Sequence, residues 1–256
     1  MAKGYGMVNV SVTDNARDDD SSSGPILHLN SITKSFGGLQ VLRGIDLKVQ
    51  RGQIFGLIGP NGCGKSTLFD IITGYQRADA GTVKFQGRMV NGTAPHILAR
   101  SGLIRTFQLT RVFPNLTVAE NLLVFTKMGD HDGEKRAVEL LDFVHLLALA
   151  EREASTLSYG QLKLLELAQV LMHDPSMLLL DEPLAGINPG LIEEIMEHLQ
   201  VLRGRGMTIL LVEHNLPVVS RLCDRVAVMS AGTVLIEDHP DVVVGDARVK
   251  EVFLGE

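Results

Sequence analysis

A run of nine residues early in the chain combines glycines, a lysine and two hydroxyls at close spacing. It reads GPNGCGKST and fits the pattern G-x-x-x-x-G-K-[ST]. Gly62 and Gly64 would let the backbone curl so that successive N–H groups bind an anion. Lys65 would bridge the β- and γ-phosphates of a nucleotide, Ser66 would bind Mg²⁺, and Thr67 would support the α-phosphate. The predicted phosphate-binding loop consists of Gly59, Pro60, Asn61, Gly62, Cys63, Gly64, Lys65, Ser66 and Thr67.

Two adjacent carboxylates follow an apolar run in MLLLDEP, residues 177–183. Asp181 would emerge at the carboxyl end of a buried strand, where open α/β sheets bind ligands, and would hold Mg²⁺ through water. Glu182 would point differently and face a water in line with the γ-phosphate. We predict that Glu182 is the general base, a role typically worth about 10²–10⁴-fold in rate.

The elements around these motifs are typical of an α/β core. The apolar run QIFGLIG leads into the phosphate loop, and STLFDIITG continues at helical spacing. Strand patterns return at residues 176–182 and 207–214 with a helical pattern between them, which predicts a parallel sheet covered by helices. Residues 26–49 alternate as half-buried antiparallel strands do, and hairpins are predicted around Gly87 and at Ala231-Gly232.

Helical patterns dominate from about residue 96 to residue 165. Within them, a segment that begins at Glu134 has a predicted apolar face of Val138, Leu141, Val144, Leu147 and Ala148. A closing helix is predicted for DARVKEVFLGE at the end of the chain.

Composition limits the classes of function. The 256 residues are 45% hydrophobic with a net charge of −6, which predicts a large core and gives no basic stripe for nucleic acid. Two cysteines make no disulfide framework, which favours a reducing compartment. The first residues contain no apolar signal region, and no apolar run approaches the roughly 18 residues that would cross a bilayer. We expect residues 1–25, which are polar, to form a flexible tail.

Four further pieces follow in order: RTFQ ending at Gln108, LSYGQ at 157–161, AGINP at 185–189, and a strand-terminal His214. Together with the phosphate loop and the Asp-Glu-Pro, they make residues 26–256 resemble the nucleotide-binding subunit of an ABC transporter. The resemblance implies an α/β, P-loop NTPase ABC cassette with a mixed-sheet core, an antiparallel β subdomain and a helical insert. The implied core is about 26–107 and 166–256, and the helical subdomain about 108–165.

The resemblance also implies a role for each matching residue. Gln108 would touch Mg²⁺ and sense the membrane subunit, His214 would contact the γ-phosphate, and the aromatic ring of Phe36 would stack on adenine. In this family two cassettes pair head to tail around two ATP molecules, each closed by the partner's signature. Residues that would form that signature here are Ser158, Gly160 and Gln161. Tyr159 replaces a glycine, which is tolerable if its backbone stays in a region open to other residues.

Details such as LSYGQ, AGINP and the closing FLGE resemble the LivG-type branch, which powers import of branched-chain amino acids. The implied partners are a second ATPase subunit, identical or paralogous, membrane permease subunits that dock near Phe113, Pro114 and Leu116, and indirectly a solute-binding protein. The implied location is the cytoplasmic face of the membrane. Asn188 stands where the family has aspartate, which bears on the loop that crosses to the partner.

Three alternatives remain open: a related importer for amides or urea, a non-transport ABC ATPase acting in DNA repair or on ribosomes, and a module that uses ATP only to control dimerisation. The last is disfavoured because Glu182 and His214 are both present.

The two cysteines invite different expectations. Cys63 lies beside Lys65 and a helix start, features that lower the pKa of a thiol, so we expect its alkylation to block ATPase activity and bound ATP to protect it. Cys223 is expected to be buried packing.

Overall fold

The computed structural model describes residues 24–106, 112–126 and 129–254. Contacts divide the chain into a helical unit, Thr110–Asp174, and a core unit that contains Asp20–Leu109 and Pro175–Glu256. The boundary predicted near residue 165 falls inside a helix, and the helical unit extends to Asp174.

The first part of the core unit forms β1 (Leu27–Phe36), β2 (Leu39–Val49), β3 (Ile54–Ile58), α1 (Lys65–Ile72), β4 (Ala80–Phe85), β5 (Arg88–Met89), α2 (Pro95–Arg100) and β6 (Leu103–Arg105). The helical unit forms α3 (Val118–Leu123), α4 (His131–Phe143), two 3₁₀ turns (Leu147–Leu149 and Ala154–Thr156) and α5 (Tyr159–Leu171). The second part of the core unit forms β7 (Met177–Asp181), α6 (Pro189–Gly204), β8 (Thr208–Val212), α7 (Leu216–Leu222), β9 (Arg225–Ser230), β10 (Thr233–Asp238), α8 (Pro240–Gly245) and α9 (Ala247–Leu254).

The larger sheet of the core unit is six-stranded, in the order β10-β9-β3-β8-β7-β6. Strands β9 to β6 are parallel to one another and β10 is antiparallel to β9. Every residue of β3, β7 and β8 is buried, as expected of central strands whose two faces are both covered. The predicted parallel sheet is confirmed.

The smaller sheet is antiparallel, in the order β2-β1-β4-β5. At its start, the β1 strand alternates buried residues with half-buried or exposed ones because one face packs on the core. The hairpins predicted around Gly87 and at Ala231-Gly232 are confirmed as β4-β5 and β9-β10, and the predicted closing helix is α9.

One buried cluster joins side chains of both sheets with those of α1. Phe55 of β3 and Phe69 of α1 are fully buried within it. Because α1 is anchored by Phe69 and Leu68, its first turn and the loop before it are held against the end of β3.

The predicted apolar face of α4 is wrong in part. Leu141 and Val144 are buried as predicted, but the side chain of Val138 is 52% exposed. The buried face consists of Ala137, Leu140, Leu141 and Val144, which are spaced as one face of a helix. Ala137 thus takes the buried position that was predicted for Val138. The helix ends at Phe143 and His145 has a φ of 57°, so Leu147 falls on a separate turn and is also exposed.

Candidate functional site

Three strand ends of the larger sheet lie side by side and carry the predicted motifs. Leu57 of β3 is in register with Val212 of β8, which is in register with Asp181 of β7. Adjacent strands lie about 4.8 Å apart, so the phosphate loop after β3, His214 after β8 and Glu182 after β7 all leave the same edge. This is the edge at which open parallel sheets bind ligands.

The phosphate loop curls tightly between β3 and α1. Gly62 and Gly64 have φ values of 76° and 108°, in the left-handed region that favours glycine. Nζ of Lys65 donates hydrogen bonds to the carbonyl oxygens of Gly59 at 2.6 Å and of Pro60 at 2.9 Å. The ammonium group is therefore held over the loop that precedes it.

Side chains of the loop differ in their access to solvent. Asn61 and Ser66 are exposed and Thr67 is half-buried, whereas Lys65 is 8% exposed. Gly59 is packed so closely that a Cβ atom there would lie 2.2 Å from the carbonyl oxygen of Met229 in β9. The start of the loop is thus fixed against the sheet, and its far side is open.

The lowered thiol pKa expected for Cys63 is wrong, and its reactivity stays a prediction. Its side chain is buried, and burial raises the pKa of the thiol above its ordinary value, although the neighbouring Lys65 ammonium acts to lower it. The charged neighbour is visible in the sequence, but the burial is not, because it comes from the fold of the loop. Cys223 is buried as predicted, and its thiol pKa is raised to about 12.

Asp181 is buried at the end of β7 and is paired with an arginine that the sequence reasoning missed. Arg105, the last residue of β6, donates from Nη2 to Oδ2 of Asp181 at 2.8 Å and from Nη1 to Oδ1 of Asp70 at 2.5 Å. Its guanidinium also lies 5.4 Å from the ring centroid of Phe69. A guanidinium joining two carboxylates in this way fixes the orientation of Asp181. The sequence feature that could have indicated Arg105 is a charged residue at the end of a short apolar strand.

Glu182 begins a strained turn directly after β7. Its φ is 48°, a left-handed conformation that is uncommon for a residue with a side chain. Its N–H donates to the carbonyl oxygen of Val212 at 3.0 Å, and its own carbonyl accepts from the N–H of Ala185 at 3.2 Å.

His214 is exposed and follows a buried carboxylate, Glu213, which the sequence reasoning also missed. Oε1 of Glu213 accepts a hydrogen bond from the N–H of Leu184 at 3.1 Å. Burial raises the pKa of the Glu213 carboxyl, while hydrogen bonds from the N–H groups of Leu184 and His214 act to lower it.

Phe36 lies at the tip of the β1-β2 hairpin with 46% of its surface exposed. Nζ of Lys34 lies 5.2 Å from its ring centroid and is 2.8 Å from Oδ1 of Asp79. The other oxygen of Asp79 accepts from the N–H of Ser35 at 2.6 Å. An exposed ring on an anchored turn is suited to stacking on a flat ligand.

In the helical unit, LSYGQ forms the start of α5. The hydroxyl of Ser158 accepts from the N–H of Gln161 at 3.3 Å, and the side chain of Gln161 accepts from the N–H of Ser158 at 2.9 Å. This reciprocal capping box leaves Tyr159 as the first helical residue, with ordinary helical backbone and an exposed ring. The backbone of Tyr159 therefore lies in a region open to residues other than glycine, which was the condition for tolerating it. Gly160 lies in the same first turn.

The segment expected to meet a membrane subunit lies before α3. Phe113 and Pro114 are exposed and Leu116 is half-buried. Asn121, fully buried, holds this segment: its Oδ1 accepts from the N–H of Phe113 at 2.8 Å, and its Nδ2 donates to the Phe113 carbonyl at 3.0 Å.

Two expectations of the sequence lie outside the described residues: the position of Gln108 and the tail before residue 24. Asn188 caps α6, since its Oδ1 accepts from the N–H of Leu191 at 3.1 Å. Across the described ranges, none of the helices combines the length and apolar character that crossing a bilayer requires.

Comparison with known proteins gives concordant matches. The family model described as "ABC transporter" matches residues 42–185. The high-affinity branched-chain amino acid transport ATP-binding protein BraF of Pseudomonas aeruginosa is 36% identical over 253 residues, covering 91% of this chain and 99% of BraF. The ADP conformation of MJ1267, an ATP-binding cassette of an ABC transporter, has a TM-score of 0.84 and 36% identity over 91% of this chain and 99% of that one. The dimeric cassette MJ0796, bound to ADP and phosphate, has a TM-score of 0.74 and 27% identity over 84% and 98%.

Proposed function

Because the chain belongs to the ABC transporter ATP-binding family, we propose that it is the ATP-hydrolysing subunit of an importer for branched-chain or other hydrophobic amino acids. One observation carries the hydrolytic part: the phosphate loop, Glu182 and His214 leave adjacent strand ends. The substrate class is supported by the 36% identity to BraF along nearly its whole length.

The phosphate loop would bind the ATP phosphates through its backbone N–H groups and Lys65. The ammonium group of Lys65 is already held over the loop by hydrogen bonds to two carbonyl oxygens. These bonds compensate for the burial of its charge. Phe36 would stack on the adenine ring from the exposed hairpin tip.

Ser66, Asp181 and Gln108 would hold Mg²⁺ together with the ATP phosphates. A hydroxyl, a carboxylate and an amide carbonyl are hard oxygen ligands, the kind that Mg²⁺ prefers. Arg105 binds one oxygen of Asp181, and the carboxylate would hold the metal through a water. When bound, Mg²⁺ would neutralise charge that develops on the transferring phosphate.

Glu182 would accept the proton of the attacking water and His214 would contact the γ-phosphate. The turn that carries Glu182 is hydrogen-bonded to the segment that carries His214, which would limit movement of one residue relative to the other. A base held in advance avoids the reorganisation that a mobile side chain would need.

A second ATPase subunit, identical or paralogous, would complete the site. Ser158, Gly160, Gln161 and the positive end of α5 would face the γ-phosphate held by the partner chain. The dimer of MJ0796 supports this arrangement.

Permease subunits would dock at Phe113 and Pro114, placing the chain at the cytoplasmic face of the membrane, and a solute-binding protein would deliver the amino acid to them. We expect no nucleic-acid partner, since the net charge is −6 and the sequence has no basic stripe.

The test is a tagged pull-down from native membranes, followed by ATPase assays of the recovered complex with its binding protein and candidate solutes. Stimulation by leucine, isoleucine or valine is expected. Stimulation only by an amide or urea would retain the importer and change its cargo. A chain that recovers no membrane subunit, with ATPase activity indifferent to every solute, would favour the non-transport alternative.

A further inference from the structure

Glu213 places a carboxylate inside the core unit at the junction of the turn after β7 and the segment after β8. Its side chain is 2% exposed. Burial of a carboxylate costs free energy unless its oxygens are hydrogen-bonded. Here Oε1 accepts from the N–H of Leu184, two residues beyond Glu182. The buried acid is thus placed against the turn of the proposed general base.

Two hydrogen bonds tie that turn to the end of β8. The N–H of Glu182 donates to the carbonyl oxygen of Val212 at 3.0 Å, and the N–H of Leu184 donates to Glu213 at 3.1 Å. The two acceptors belong to the two residues that precede His214. The turn begins at a φ of 48°, a conformation that persists only where the surroundings enforce it.

We propose that Glu213 is a positioning residue that, through the N–H of Leu184, holds Glu182 in a fixed relation to His214. In this role Glu213 acts by keeping the strained turn attached to the segment of His214. This inference rests on the proposed function, since it assigns a role within the same reaction.

Two variants separate the hydrogen bond from the charge. Glu213→Gln keeps the side-chain length and an acceptor oxygen and removes the charge. Glu213→Asp keeps the charge and shortens the side chain by one methylene, so its carboxylate no longer reaches the N–H of Leu184. We expect Glu213→Gln to keep kcat within about threefold of wild type and Glu213→Asp to lower kcat at least tenfold, a part of the ~10²–10⁴-fold effect of a general base.

The measurements are kcat and KM of the full-length chain, the affinity for a fluorescent ATP analogue, and the amount of ATP-bound dimer on gel filtration. For Glu213→Asp we expect unchanged ATP affinity, because the phosphate loop is untouched. We also expect the ATP-bound dimer to accumulate, because the hydrolysis that would open it is slowed. Glu193→Gln, at an exposed carboxylate paired with Arg221, is the control and should match wild type in all three.

Wild-type turnover in Glu213→Asp would overturn the inference. Equal loss in both variants would show that the hydrogen bond alone does not account for the effect, and a parallel fall in ATP affinity and thermal stability would show a merely structural role. Either result overturns it. Absence of ATPase activity in the wild-type complex would instead overturn the proposed function, and this inference with it.

Discussion

Glu182 combines its proposed role as general base with an unfavourable backbone conformation, because its φ of 48° lies where side chains are rare. Strain of this kind costs of order 1–3 kcal/mol and is retained where the surrounding structure enforces it. Here the turn is held by the hydrogen bonds of Glu182 to Val212 and from Ala185, and by the bond from Leu184 to Glu213. The strained backbone of this turn is thus held by hydrogen bonds to neighbouring segments.

Glu182→Gln should retain ATP binding and lose hydrolysis by about 10²–10⁴-fold, since an amide cannot accept the proton of the attacking water. The ATP-bound dimer should accumulate. Single-turnover hydrolysis and gel filtration with MgATP check both results. Normal turnover in this variant would show that the base lies elsewhere.

Both cysteines should react slowly with iodoacetamide at pH 8 in the folded chain. The thiol pKa of Cys63 is raised by burial and that of Cys223 is raised to about 12, so few thiolates are present. Mass spectrometry should show little alkylation before unfolding and rapid alkylation at both positions in 6 M urea. Fast labelling of native Cys63, blocked by ATP, would restore the expectation drawn from the sequence.

Single residues show where reading the sequence succeeds. The position of Asp181 and Glu182 at a strand end could be predicted, because an apolar run followed by an acidic pair is a local pattern in the sequence. Arg105 and Glu213 were missed because their partners, Asp181 and Leu184, are distant in sequence and meet only through strand pairing. Local chemistry is readable, whereas contacts between elements need the fold.

The packing of strands and helices depends on close backbone contacts as well as on the pattern of apolar residues in the sequence. The end of β3 approaches β9 so closely that Gly59 has no room for a side chain. The strands and hairpins were predictable from apolar runs and turn residues, but the phase of α4 was not, because Val138 and Ala137 are both apolar and tertiary packing selects between them.

Gly59→Ala should destabilise the core unit by more than Gly62→Ala. At Gly59 the new Cβ would lie 2.2 Å from a backbone oxygen, so β3 and β9 must move apart, and overpacking typically costs about 1–3 kcal/mol. At Gly62 nothing lies within 4 Å of the added atom, and only the left-handed backbone adds a cost of roughly 1–2 kcal/mol. Urea unfolding midpoints measure the difference. Equal midpoints would mean that the strands move apart easily.

At the scale of the whole molecule, Glu213 links stability to pH. Its carboxyl pKa is raised in the folded chain, so the folded state favours the protonated form. The stabilising contribution is therefore complete below the unfolded pKa and is lost as pH rises through the folded pKa. The surrounding charges are Glu182, which adds to the effect, and His214, which opposes it.

The wild-type chain should lose stability relative to Glu213→Gln as pH rises from about 4.5 toward neutrality, because only the wild-type acid must ionise while buried. The difference in melting temperature between the two chains, measured from pH 4.5 to 8, isolates this group from the others that titrate. A difference that stays constant with pH would contradict the raised pKa.

The exposed edge that carries Asn61, Ser66 and His214 has a consequence for kinetics. In the proposed dimer each chain would present one set of catalytic groups and one signature, and the signature would act on the ATP bound by the other molecule. Hydrolysis would then be second order in protein, with specific activity that rises on concentration and reaches a plateau once pairs saturate. On dilution the chain would lose ATPase activity while staying folded. Its local concentration at the membrane partners would therefore determine the rate of ATP hydrolysis.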